Sequence, residues 1–235
     1  MDASLYAQPT HRRLSWRFLR SLSPDTAAPP SCLSWRLAVE TNNLRDWYSI
    51  PAECRGYVSD YMFGEQFRLD CATVAGEAAE ALELAGDGKE AWVFDVADTG
   101  FGYASPSRTT RRTSTSTYVA NATAPPLPEV LEVYERLLAL GIKVVFITGR
   151  HDYQREPTIK NLRSAGYHTW EKLELKYVSA CAPLQFSANQ RFDMTKLVDA
   201  GYRIVGNMGD QWSDLVGAPE GDRTFKVPDP MYYVA

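Results

Sequence analysis

The chain has 235 residues, of which 45% are hydrophobic and 23% charged, and its formal net charge is -4. These values are ordinary for a globular domain and argue against a largely disordered chain. The negative net charge argues against a nucleic-acid partner, which usually meets a basic face. No apolar run approaches the ~20 residues of a membrane-spanning helix, so we also expect no membrane partner.

The first part of the chain, residues 1–31, is predicted to be a poorly ordered arm before a folded domain at 32–235. Basic and proline-rich pieces alternate in this arm without a persistent period. It contains no apolar block of the kind that a secretory signal needs, so no clear signal peptide is seen. Residues 32–50 mix β-branched and aromatic side chains, which predicts a short extended segment and then a turn at Asn42-Asn43.

The four cysteines, Cys32, Cys54, Cys71 and Cys181, show no CxxC spacing, which argues against a zinc site. Two interpretations remain open for them. They form two disulfides if the protein is secreted, or they are buried free thiols in a chain large enough to fold without cross-links.

Periodicity predicts a helical segment and then an alternation of strands and helices. From Pro51 to about Leu84 apolar residues recur at helical spacing, and Gly64 divides this stretch into two helices. Helices are also predicted at 128–140, 152–165 and 190–200. Strands are predicted at 91–96, 143–148, 172–178, 202–210 and 224–227.

Such alternation, with short connections that end in glycine, predicts a three-layer α/β/α, Rossmann-like parallel sheet with a helical N-terminal extension. Residues 97–126 fit neither period. Their Ser/Thr/Arg-rich composition predicts a long loop or a disordered insert. In doubly wound sheets, ligands bind beyond the carboxyl ends of the strands.

Polar residues follow three of the predicted strands at this edge. Asp95 ends the first, Thr148, Gly149 and Arg150 end the second, and Asp210 ends a third, with Asp214 one helical turn further on. Each piece alone is a weak signal, because an Asp after a strand is commonly a helix cap or turn residue. Together they predict phosphoryl transfer.

Each of these residue types has a part in that chemistry. Asp95 can attack phosphorus and form an aspartyl-phosphate. Thr148, Gly149 and Arg150 can hold the phosphoryl oxygens. Asp95, Asp210 and Asp214 form an oxygen cage for Mg²⁺, and the mutual repulsion of three carboxylates itself favours a cation.

The chain resembles the plant acid phosphatases and vegetative storage proteins, a branch of the haloacid dehalogenase superfamily. The matching stretches cover most of residues 32–96 and 121–233, and they read SWRLAVETNN, PAEC, AWVFDV, FITGR, TIKNLRSAGYHTWEKLELK, GYRIVGNMGDQWSDLVG and RTFKVPDPMYY. The resemblance implies Mg²⁺-dependent hydrolysis of small phosphate monoesters at acidic pH, a secreted or vacuolar location, and homodimers among family members. The sequon at Asn121 agrees with a glycoprotein.

The chain departs from the family pattern at two places. The second acid of the first motif, a general acid/base in the family, is replaced by Ala97, either by substitution or because the intervening loop is deleted. The lysine of the third motif is also missing: Phe186-Ser187 lack it, and Arg191 and Lys196 are expected on a solvated helix face.

Two hypotheses follow from these departures. The chain is either an impaired acid phosphatase or a non-catalytic storage or phosphate-binding relative, and a nucleoside phosphotransferase would use the same core. Family members carry their cap loops in the region of residues 97–120, so the resemblance implies a reduced, irregular cap here. These residues are either a divergent insertion or the product of a misplaced splice boundary.

Overall fold

Five parallel strands form one sheet in the computed structural model, which describes residues 31–82, 88–96, 124–176, 194–216 and 219–234. The order across the sheet is β3-β2-β1-β4-β5. The strands are β1 Glu90–Asp95, β2 Lys143–His151, β3 Lys172–Lys176, β4 Arg203–Gly209 and β5 Thr224–Lys226. The predicted strands are therefore confirmed, and β2 continues three residues beyond the predicted end.

The central strands are buried on both faces, which explains why they appear in the sequence as continuous apolar runs. Trp92, Phe94 and Phe146 face the larger hydrophobic cluster on one side of the sheet. Val93 and Val145 alternate with them and belong to a second, smaller cluster on the other side. Helices therefore cover both faces, and the three-layer Rossmann-like prediction is confirmed.

The described helices occupy most of the predicted positions. They are α1 Cys32–Glu40, α2 Arg55–Met62, α3 Glu65–Glu80, α4 Pro128–Ala139, α5 Arg155–Ser164, α6 Thr195–Asp199 and α7 Trp212–Leu215. Short 3₁₀ turns precede α2 and α5. Gly64 separates α2 from α3 as predicted, and Gly141 ends the α4 segment with φ 75°, a conformation that glycine adopts without strain.

The extended segment predicted after residue 32 is wrong, because Cys32–Glu40 forms helix α1. Trp35 and Val39 are buried four residues apart, on one face of the helix, while Leu33 and Leu37 are exposed. β-branched and aromatic residues suggested a strand, but tertiary packing of one helical face outweighs that weak preference. The predicted turn is present, with Asn42 at φ 59°.

A disulfide joins Cys32 at the start of α1 to Cys54 in the 3₁₀ turn before α2. The free-thiol interpretation is therefore wrong for these two cysteines. Cys71 is a buried free thiol, and burial raises the pKa of its side chain. Cys181 lies outside the described residues.

Several predictions fall on parts of the chain that the structure does not describe. These are the N-terminal arm, most of the insert at 97–126, Arg191, and the first part of the helix predicted at 190–200. Residues Cys32–Ala235 form one compact unit. Among the described helices, none is long and apolar enough to cross a membrane.

Candidate functional site

The carboxyl ends of β1 and β4 meet at the centre of the sheet. Asp95 is the last residue of β1 and pairs with Ile147 of β2. Asp210 directly follows β4, in which Met208 pairs with Phe94. This register brings Asp95 beside the loop that carries Asp210. In open α/β sheets such a point, where the strand order reverses, is the usual ligand crevice.

Asp214 reaches the same crevice from α7. A Cβ built on Gly209 would lie 2.6 Å from Asp214 Cβ and 2.9 Å from its Oδ2, so a larger residue at 209 would displace the Asp214 side chain. Asp214 Oδ2 also accepts a hydrogen bond from the backbone N–H of Gln211, at 3.0 Å. The turn after β4 therefore folds Asp214 back over the glycine that ends the strand.

The structure brings the three aspartates of the predicted cage together. Asp95, Asp210 and Asp214 each offer one carboxylate oxygen, and these atoms all lie within 4.8 Å of one another. Asp210 is buried and the other two are half-buried. Ionised carboxylates at such separations repel each other, and hard oxygen donors are the ligands that Mg²⁺, Mn²⁺ and Ca²⁺ take. This donor set fits a divalent metal ion.

Gln211 contacts two of these aspartates at once. Its backbone N–H donates to Asp214, and its side-chain Nε2 donates to Asp210 Oδ2 at 3.0 Å. Tyr232, close to the end of the chain, donates its hydroxyl to the same Asp210 oxygen at 3.1 Å. Neither residue was identified from the sequence. The only signals were the stretches GNMGDQWSDL, which contains Gln211, and VPDPMYY, which contains Tyr232; both carry family resemblance but no periodicity that assigns a role.

The residues predicted to hold phosphate lie at the end of β2. Thr148 follows Ile147, the residue that pairs with Asp95, and its hydroxyl oxygen accepts the Arg150 N–H at 3.3 Å. Gly149 is exposed, with nothing within 4 Å of an added Cβ. Thr148 and Gly149 therefore lie at the same rim as Asp95.

Arg150 is oriented differently from its two neighbours. Its side chain is buried, and Nη1 donates to Thr158 Oγ1 of α5 at 3.2 Å. This contact shows Arg150 tying the end of β2 to the following helix. Lys196, which was expected on a solvated face, is exposed on α6.

Helix α1 also contacts the segment after β4 that carries Asp210 and Asp214. Glu40, the last residue of α1, forms an ion pair with Lys226, with 2.6 Å between Oε2 and Nζ. Trp212 Nε1 donates to the Glu40 carbonyl oxygen at 3.0 Å. Burial raises the pKa of Glu40, and the charge of Lys226 opposes that rise. α1 therefore contacts both β5 and the turn that carries Asp214.

The order of the strands and the three aspartates together define the class of this protein. It is an α/β protein whose acidic site, suited to a divalent metal ion, lies where the strand order reverses. The family described as HAD superfamily, subfamily IIIB (acid phosphatase), matches residues 21–235. The chain belongs to this family, so the resemblance seen in its motifs is confirmed.

Several plant proteins are similar over most of their length. The chain is 40% identical over 215 residues to acid phosphatase 1 of Solanum lycopersicum, covering 86% of this chain and 83% of that protein. It is 39% identical over 212 residues to the stem 28 kDa glycoprotein of Glycine max, with 86% and 84% covered. It is 39% identical over 218 residues to vegetative storage protein 1 of Arabidopsis thaliana, with 87% and 79% covered.

Among solved structures, the chain is similar to the class C acid phosphatase from Bacillus anthracis. The TM-score is 0.61 at 19% identity, covering 76% of this chain and 85% of that one. At this identity the similarity concerns the fold, and it agrees with the HAD-like architecture of the sheet.

Proposed function

We propose that the chain is a Mg²⁺-dependent acid phosphatase that hydrolyses small phosphate monoesters. The observation that carries the proposal is the group formed by Asp95, Asp210 and Asp214, with carboxylate oxygens within 4.8 Å at the carboxyl edge of the sheet. Membership of the acid phosphatase family supports the choice of reaction.

In this proposal Asp95 is the nucleophile. Its carboxylate oxygen attacks phosphorus, the bond from phosphorus to the ester oxygen breaks, and the leaving group departs with the electron pair. Water then attacks phosphorus and gives up a proton to solvent, the bond to Asp95 breaks, and inorganic phosphate leaves. Thr148 and the N–H of Gly149 are assigned the donation of hydrogen bonds to the phosphoryl oxygens, since they lie at the same rim.

Asp95, Asp210 and Asp214 are the residues that would hold the metal ion. When bound there, a divalent ion neutralises phosphate charge and orients the phosphoryl group. Asp210 is buried and held by donors from Gln211 and Tyr232, which suits a ligand of fixed orientation. Hard oxygen donors suit several divalent ions, and the choice of Mg²⁺ among them rests on the resemblance to the plant acid phosphatases.

Turnover is expected to be lower than in a phosphatase with a complete first motif. The residue two positions after Asp95 is Ala97, which cannot move a proton. General acid–base assistance typically supplies about 10²–10⁴-fold in rate, so substrates with poor leaving groups should suffer a loss of about that size.

A non-catalytic storage role is the second candidate. It is favoured by Ala97 and by similarity to proteins named vegetative storage protein and stem glycoprotein. Under this alternative the fold and the acidic centre persist, but no phosphate ester is hydrolysed.

A secreted or vacuolar location is proposed for either role. The Cys32–Cys54 disulfide supports it, because such bonds persist in oxidising compartments and are rare in the cytosol. The Asn121 sequon and similarity to a soybean stem glycoprotein agree with it.

The test is hydrolysis of an aryl phosphate at mildly acidic pH, with Mg²⁺ or with chelator, for wild type and Asp95→Asn. The matched control is Asp222→Asn, which removes an exposed carboxylate paired with Arg203 at 3.0 Å. We expect Mg²⁺-dependent activity in wild type and control, and none in Asp95→Asn. Equal activity in Asp95→Asn would overturn the proposed nucleophile. A folded, metal-binding wild type without activity would favour storage.

A further inference from the structure

The side-chain amide of Gln211 uses both of its donor hydrogens and its oxygen. Nε2 donates to Asp210 Oδ2 at 3.0 Å and to Asp229 Oδ2 at 2.7 Å, while Oε1 accepts the Val234 N–H at 3.0 Å. Gln211 is only 6% exposed. A buried amide with this many partners has a single orientation, so Gln211 is a fixed link between Asp210 and the end of the chain.

The segment of residues 227–234 is itself held in place. Asp229 is 4% exposed, and its second oxygen, Oδ1, accepts the Met231 N–H at 2.8 Å. This bond turns the backbone so that Tyr232 points back towards Asp210. The C-terminal segment, residues 227–234, therefore reaches the acidic centre twice, through Asp229 with Gln211 and through Tyr232.

Two donors on one carboxylate oxygen restrict rotation of the Asp210 side chain. Groups that contact metal ligands in this way orient the ligand, and their loss typically weakens metal binding or activity by about 10–100-fold. A carboxylate without these donors would have to lose rotational freedom when the ion binds.

We propose that Gln211 and Tyr232 are positioning residues for the metal site, fixing the Asp210 carboxylate from the C-terminal segment. This inference rests on the proposed function, because it takes Asp210 as a metal ligand. It adds that metal affinity depends on hydrogen bonds donated by residues that do not contact the ion.

The first test is Mg²⁺ or Mn²⁺ binding to Tyr232→Phe by calorimetry, together with metal-induced change in Tm. This variant removes one hydroxyl and keeps the ring. We expect the Kd for metal to rise about 10-fold or more, while KM for an aryl phosphate at saturating metal changes little. Metal binding as tight as in wild type would overturn the inference.

Two control variants remove a tyrosine–carboxylate hydrogen bond away from the site. Tyr61→Phe deletes the bond to Asp70 at 2.7 Å and is expected to lower Tm without changing metal affinity. Tyr202→Phe deletes the exposed bond to Glu171 at 2.8 Å and is expected to change neither. An equal loss of metal affinity in Tyr61→Phe would mean that the effect is general destabilisation, and would also overturn the inference.

Gln211→Met provides a second variant, since it removes the amide contacts but keeps the backbone N–H to Asp214. We expect it to weaken metal binding at least as much as Tyr232→Phe, and wild-type affinity would contradict the inference.

Asp210→Asn separates the two proposals. If it loses metal while Tyr232→Phe and Gln211→Met do not, only the inference fails. If wild type binds no divalent metal, the proposed function fails and the inference with it.

Discussion

Gly209 and Asp214 are in contact across the turn that follows β4, so closely that a Cβ on Gly209 would lie 2.6 Å from the Cβ of Asp214. Position 209 therefore requires glycine because a side chain there would collide with Asp214, and this requirement does not depend on the backbone conformation. The contact also links the end of a strand to the orientation of a proposed metal ligand.

Gly209→Ala should therefore weaken metal binding. The new methyl group displaces Asp214, and we expect at least about 10-fold loss of metal affinity and of kcat/KM. Gly76→Ala is the matched control, because an added Cβ on that exposed residue of α3 meets nothing within 4 Å. The control should gain about 0.5–1 kcal/mol of stability from helix propensity. Unchanged metal affinity in Gly209→Ala would contradict the steric explanation.

The dependence of the hydrolysis rate on the leaving group should reveal the missing general acid. With an aryl phosphate the leaving oxygen needs little protonation, so Asp95 is phosphorylated quickly and the slow step is attack by water. We predict a burst of released phenol, close to one equivalent per enzyme, before slow steady turnover. Alkyl phosphates should show no burst and a much lower rate. The burst is measured by stopped-flow absorbance of the released phenol, and the steady rates of both classes by release of inorganic phosphate. Equal steady rates for both classes would indicate a working general acid.

Lys226→Met should destabilise the fold in a pH-dependent way. Glu40 is half-buried, with 16% of its side chain exposed, and desolvation raises its pKa; the variant removes the charge that opposes this rise. Below the unfolded pKa of about 4.3, both states are protonated and the cost is small. Above it, the unfolded state ionises more readily than the folded one, so stability is lost as pH rises.

We expect a loss of about 3 kcal/mol at neutral pH, measured by urea unfolding. The double variant Glu40→Gln with Lys226→Met should recover much of it, because no half-buried carboxylate remains unpaired. A loss that is the same on both sides of the glutamate pKa would refute the electrostatic origin.

Removal of the disulfide should lower the stability of the fold and leave the metal affinity of the folded protein unchanged. Cys32 and Cys54 are 22 positions apart, and a closed loop of that size contributes about 3 kcal/mol through the entropy of the unfolded chain. We predict a lower Tm for the variant with both cysteines replaced by serine, with unchanged metal affinity once the protein is folded. A loss of metal binding at temperatures well below Tm would show instead that α1 needs the disulfide in order to support the turn after β4.

Much of the fold could be predicted because the central strands are buried on both faces. Strands such as β1 and β2 appear as uninterrupted apolar runs, and helix ends such as Gly141 have a conformational signature. α1 was misassigned because its burial depends on partners far along the chain, which local composition does not encode.

The residues of the candidate site likewise fall into those that the sequence predicted and those that it did not. Asp95 ends β1 and Asp210 follows β4, so sheet topology predicts that they meet, and Asp214 joins them from α7. Oxygens of the three carboxylates lie within 4.8 Å of one another. Gln211 and Tyr232 could not be assigned, since the role of Tyr232 arises from a segment without regular structure that returns to the sheet, and that of Gln211 from its contacts with the same segment. Arg150 was predicted to hold phosphate, and this stays a prediction; its guanidinium also donates a hydrogen bond to Thr158 of α5, which the sequence did not indicate.

The most direct test of the proposed function is to trap the phosphorylated enzyme. Wild type and Asp95→Asn would be mixed with an aryl phosphate and Mg²⁺, quenched in acid and digested for peptide mass spectrometry. We predict the mass of a phosphoryl group on the peptide containing Asp95 in wild type, and none in the variant. Steady hydrolysis by wild type without any phosphorylated Asp95 peptide, or phosphorylation at another residue, would contradict the assignment of Asp95 as the nucleophile.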